Sequence, residues 1–132
     1  MNLFESLVRN IGIGINQDLV KVTQWALDLG YIPKSIDFDD GAARYEFDAK
    51  NTKYRYSEAY NEAVGFLQTL ADRVYTNSHN IDNNTRVTII ETKNTPFTIE
   101  LIGTMRLKPN LTIVTYDDKS RVYLDKVFEK VK

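Results

Sequence analysis

Apolar residues recur every three or four positions in the first part of the chain and every second position in the last part, with the change near residues 77–85. The first clear helical stretch is 16–29, where Ile15, Leu19, Val22, Ala26 and Leu29 form a stripe opposite Gln17, Lys21, Gln24 and Asp28. Gly30 ends it, because glycine takes the left-handed conformation past a helix terminus at no steric cost, and Pro33 blocks its resumption. A second helix is expected from Ser57 or Glu58 to about Tyr75, with Ala59, Ala63, Phe66, Leu67, Leu70, Ala71 and Val74 as a wide apolar arc. Between the two helices, Ile36 and Phe38, then Tyr45 and Phe47, alternate with polar residues around an Asp39-Asp40-Gly41-Ala42 turn. Pairing 38 with 43 sets 36 opposite 45 and 34 opposite 47, so these four apolar residues share one face of a hairpin.

After a polar loop over 76–84, the alternation of Val87 and Ile89, of Phe97, Ile99 and Leu101, and of Leu111 and Ile113 predicts a three-stranded meander. Lys93 to Pro96, Lys108 to Asn110 and Asp117 to Ser120 supply its turns. A fourth strand over 121–123 and a short C-terminal helix through Leu124, Val127, Phe128 and Val131 complete the pattern, and Leu3 to Val8 suggests one or two helical turns closed by Asn10 and Gly12/Gly14. The fold expected is α+β and two-layered: an antiparallel sheet made of hairpin and meander, two main helices on one face and short terminal helices. At 132 residues it is read as a single domain spanning 1–132, large enough to bury roughly two-thirds of the surface of its unfolded chain.

Composition narrows the chemistry more than it suggests any. There is no cysteine and one histidine, so thiol nucleophiles and Cys/His zinc sites are excluded. The net charge of -1 argues against a dedicated nucleic-acid binder, and its division is mild: residues 1–77 carry 8 Lys/Arg against 11 Asp/Glu, and residues 78–132 carry 9 against 7. With no readable signal peptide or membrane span, a cytoplasmic protein without a membrane partner is expected. His79 sits in a polar loop with Asp82 as its one neighbouring carboxylate and reads as solvated. Gly12-Ile13-Gly14 lacks the third glycine and preceding strand of a dinucleotide fingerprint and reads as a connector.

Asp37, Asp39, Asp40 and Asp48-Ala49-Lys50 imitate the acidic set of a metal-dependent nuclease. The hairpin register opposes that reading: Asp37 and Asp48 fall on the order of 13 Å apart along the strands, whereas oxygen ligands of one cation must lie within about 2.6 Å of it. A nuclease at Asp37, Asp48 and Lys50 is therefore the weakest of three functional readings, and no catalytic residue, metal site or cofactor is assigned. The second reading is a nucleic-acid-binding module, in which Arg44, Lys50, Lys53, Tyr54, Arg55 and Tyr56 interleave cations with rings able to stack bases. The leading expectation is a small non-catalytic interaction domain that binds a protein partner or assembles with itself. Its contacts are expected at Trp25 and Tyr31, on the border of the first helix's apolar stripe, or at an exposed sheet edge. Its Asn-, Thr- and Tyr-rich composition fits a viral or mobile-element origin by association alone.

Overall fold

The computed structural model describes residues 16–93 and 95–131, so the expected Leu3–Val8 turns and the Gly12/Gly14 connector lie outside the described residues. Those residues form three helices, α1 (Gln17–Asp28), α2 (Tyr56–Gln68) and α3 (Asp118–Val131), and six strands, β1 (Ile32–Asp39), β2 (Ala42–Asp48), β3 (Val74–Asn80), β4 (Arg86–Thr92), β5 (Phe97–Gly103) and β6 (Asn110–Thr115). The strands make one antiparallel sheet in the order β1-β2-β6-β5-β4-β3. The protein is thus α+β. Among the described residues no helix is long and apolar enough to cross a membrane.

Local chemistry explains most boundaries. Asn16 caps α1 by accepting the Leu19 N–H at 3.1 Å, and Gly30, at φ +98°, ends it. A Cβ on Gly30 would lie 2.6 Å from the Asn51 carbonyl oxygen, so the site needs glycine twice over, for its conformation and for the close approach of the backbone. Gly30→Ala is expected to destabilise the fold by about 1–3 kcal/mol, read as a lowered urea midpoint with an unchanged denaturant slope.

The β1–β2 hairpin closes through Asp40 and Gly41, both at positive φ (51° and 78°), as a two-residue turn of the expected kind. Phe38 faces Ala43 and Ile36 faces Tyr45 as expected, but a register shift between Pro33 and Ser35 sets Pro33, rather than residue 34, opposite Phe47. Proline has no N–H to give the ladder, and a bulge at a strand end absorbs that loss.

Two expected boundaries are corrected. The second helix stops at Gln68, where the Thr69 hydroxyl and amide turn back onto the Phe66 carbonyl, and the chain re-enters as β3 where a helix end and polar loop were expected. Leu70 and Val74 still pack against the core, which carries the helical spacing of apolar residues beyond the helix itself. The expected strand over 121–123 is instead the second turn of α3: Asp117 caps that helix by accepting the Ser120 N–H at 2.7 Å and the Ser120 hydroxyl at 2.9 Å.

The core follows from the register. Ala43, Tyr45 and Phe47 on β2, Leu111, Ile113 and Thr115 on β6, Phe97, Ile99 and Leu101 on β5, and Ile90 on β4 are cross-strand neighbours on one sheet surface, and all are buried. Phe128 of α3 meets Tyr45 and Phe47 edge to face, at 5.4 and 5.0 Å between ring centroids. Buried tyrosines tie helices and loops to this surface by their hydroxyls: Tyr56 donates to the Leu101 carbonyl, with Thr88 Oγ1 also at 2.9 Å, and Tyr31 donates to the Pro109 carbonyl.

Candidate functional site

The residues singled out in the sequence have different fates. Trp25 is half-buried, stacked on Phe66 of α2 at 5.0 Å and 12° between planes, so its ring cements α1 to α2 and leaves part of its edge to solvent. Tyr31 is 1% exposed and cannot reach a partner. Its position one turn beyond the helix stripe misled because Gly30 redirects the chain inward, and burial pushes its hydroxyl up to about 12.

The basic and aromatic cluster is divided by the hairpin and by α2. Arg44 projects from β2 to form a bidentate ion pair with Glu100 of β5, across the intervening β6. Glu100 is largely buried, and Arg44 neutralises it. Tyr56 is buried and hydrogen-bonded in the core. Lys50, Lys53 and Arg55 remain exposed around a half-buried Tyr54, with the Lys53 ammonium 5.4 Å from the Tyr54 ring centroid. The Arg55 N–H is capped by Glu58 and the Lys50 N–H by Asp48, which is how this loop hands over to α2.

The acidic set is dispersed as the register requires. Asp37 stands opposite Arg44 and Asp48 opposite Ile32, at opposite ends of the hairpin, while Asp40 occupies the turn. Among the described residues no three His, Cys, Asp or Glu side chains gather where a metal ion could sit. An open cleft of about 510 Å³ runs between α1, the α2–β3 connection and the β4–β5 turn, with Asp18, Asp72, Arg73 and Lys93 among its lining residues. Asp72, Arg73 and Lys93 are exposed at its rim, where water screens them from one another.

No protein-family model, curated protein or solved structure matches the chain.

An exposed sheet edge was expected, but not the strand that forms it. His79 and its polar neighbours belong to β3, which pairs with β4 over seven consecutive residues without a bulge, from Val74 opposite Thr92 to Asn80 opposite Arg86. Every residue of β3 after Val74 is exposed. The Val-Tyr-Thr start of the segment and the Asp82 turn, whose carboxylate accepts the Asn84 and Thr85 amides at 2.7 Å each, were the available signals of a hairpin. These amides hold the Asp82 carboxyl below its ordinary pKa.

The two outer strands contrast. β1 carries Pro33, a bulge beside it, Lys34, Asp37 and Asp39, all devices that discourage another strand from pairing. β3 carries no proline, bulge, lysine or carboxylate. Its Tyr75 ring, 43% exposed, lies on the same side as Asn77 and His79.

Proposed function

We propose that the protein is a non-catalytic assembly domain whose β3 edge accepts another strand, and that the strand it accepts is β3 of a second copy. The observation that carries this reading is a seven-residue, regular, uncharged and exposed edge in a protein whose other edge is guarded. β3 also suits pairing with itself. Antiparallel about Asn77, it would set Tyr75 against His79, Thr76 against Ser78 and Val74 against Asn80, with no like charges opposed and one ring beside an imidazole on each side of the two-fold axis. In keeping with such a role, the helices are inferred to form a single layer over the surface that holds Tyr45, Phe47 and Ile113.

A strand-to-strand contact of this length is small, so the association should be weak, with a dissociation constant of about 10 µM to 1 mM. Sedimentation equilibrium should show a monomer–dimer equilibrium in that range. Ser78→Pro, which removes an amide that faces away from β4 and bends the strand, should shift it at least tenfold toward monomer, and Ser78→Lys should do the same by placing like charges near the two-fold axis. A strict monomer at millimolar concentration would overturn the self-pairing. An extended segment of a different protein that protects the β3 amides from hydrogen exchange would replace the second copy as occupant.

A further inference from the structure

A second surface, at one end of the strands, has a different chemistry. Pairing of Asn80 with Arg86 and of Arg86 with Gly103 puts the β3–β4 and β5–β6 turns side by side, about 10 Å apart at the usual strand spacing. Three of the large apolar side chains most open to solvent are on these two turns: Ile81 is 60% exposed, Met105 54% and Leu107 64%. Arg86 Nη1 lies 3.4 Å from Met105 Sδ, joining one turn to the other across a cleft of about 300 Å³ that Asn80, Asn84 and Arg106 also line. The loop between β2 and α2 reaches the same end, because the Ala49 N–H donates to Asn110 Oδ1 at 3.0 Å and Tyr56 to the Leu101 carbonyl.

Six cations therefore share one end of the sheet with three aliphatic tips: Lys50, Lys53, Arg55, Arg86, Arg106 and Lys108. Among the described residues none of the six forms an ion pair. Of the carboxylates nearby, Asp28 lines one cleft with Lys53, and the others are turned to backbone amides, Asp48 to that of Lys50, Glu58 to that of Arg55, and Asp82 to those of Asn84 and Thr85. A chain of net charge -1 thus presents one cationic end with an apolar crest.

We propose that this end docks on an anionic lipid surface, with Ile81, Met105 and Leu107 entering the headgroup layer and the six cations lying among lipid phosphates. Aliphatic tips beside several cations suit a bilayer interface, where apolar burial and attraction to negative headgroups add. A nucleic acid would call for exposed planar rings at the crest, and Tyr54, half-buried, is the one aromatic side chain of the three loops.

Cosedimentation with phosphatidylcholine vesicles, with and without phosphatidylserine, tests this. Binding is expected only with phosphatidylserine and should weaken as salt is raised. It should fall about tenfold in Met105→Ser/Leu107→Ser and as much in Arg106→Ser/Lys108→Ser, both pairs being exposed positions that leave the circular dichroism spectrum unchanged. Absence of binding to phosphatidylserine vesicles at low salt would overturn the proposal. So would full affinity in the Met105→Ser/Leu107→Ser variant, or a shift with a single-stranded oligonucleotide in a protein that ignores vesicles.

Discussion

Phe128→Ala is expected to destabilise the protein by about 3–5 kcal/mol, close to a third of the stability of an ordinary domain of this size. Phe128 is 2% exposed and is the point at which α3 enters the aromatic cluster of β2, edge to face with both Tyr45 and Phe47. Truncation loses the transfer energy of the ring, two aromatic pairs and the packing of the cavity walls, and the neighbouring Leu124 and Val127 are anchored on their own helix and cannot collapse into the gap. Val122, on the same helix but 45% exposed, provides the contrast: Val122→Ala should change stability by less than about 0.5 kcal/mol. Urea unfolding of the two variants beside the parent measures the difference directly. A loss below about 1 kcal/mol in Phe128→Ala would mean that α3 is not seated on β2, and with it would go the single helical layer inferred above.

How far the fold could be read in advance depended on whether a segment has a wet side and a dry side. α1, the β1–β2 turn and strand β5 were legible because each sets apolar residues against polar ones at the period of its structure, and because Gly30 and Asp40-Gly41 demand particular backbone conformations; β6 is buried on both sides, and on β4 the expected Val87 and Ile89 face away from the core, which takes Thr88 and Ile90 instead. β3 was illegible for the opposite reason: exposed on both sides beyond Val74, it has no alternation to show, and only its pairing with β4 makes it a strand. The start of α3 was obscured by Asp117 to Ser120, a set of residues as suited to a turn as to the helix cap they form. Candidate sites divided similarly. That Asp37 and Asp48 stand apart followed from register alone, but the burial of Tyr31 and Tyr56 and the commitment of Arg44 to Glu100 depend on contacts between residues far apart in the chain. The β3 edge is open because no strand pairs beyond it, and the β2–α2 loop reaches the end of the β5–β6 turn only through the long-range β2–β6 pairing, neither of which a local pattern records.

Those same buried tyrosines make the fold sensitive to alkali, and the protein is expected to unfold cooperatively above pH 10. Tyr31, Tyr45, Tyr56 and Tyr123 are all at most 3% exposed, and burial raises the pKa of each hydroxyl. At Tyr45 the effect is reinforced by its hydrogen bond to Asp125 Oδ1 at 2.7 Å, because ionisation would set a phenolate against a carboxylate. Tyr31 and Tyr56 donate to the Pro109 and Leu101 carbonyls, which would likewise face an anion after the proton leaves. The unfolded chain loses these protons near pH 10, whereas the folded chain holds them longer, so the unfolded state binds fewer protons above pH 10 and is favoured there. The stabilisation is complete below pH 10 and is lost as pH rises through the folded values. For Tyr31, raised to about 12, the loss amounts to some 2–3 kcal/mol once that value is passed. The four losses have the same sign and add, which is why a single transition is expected. Absorbance at 295 nm and far-ultraviolet circular dichroism, followed in one titration, should show half of the eight tyrosines ionising in step with the loss of ellipticity. Tyr31→Phe should move that transition to higher pH while costing no more than about 1.5 kcal/mol at pH 7, since it removes one long hydrogen bond, 3.3 Å, along with the titrating group. All eight tyrosines ionising near pH 10 with the ellipticity intact would show instead that these hydroxyls are open to solvent and that the core is not packed as described.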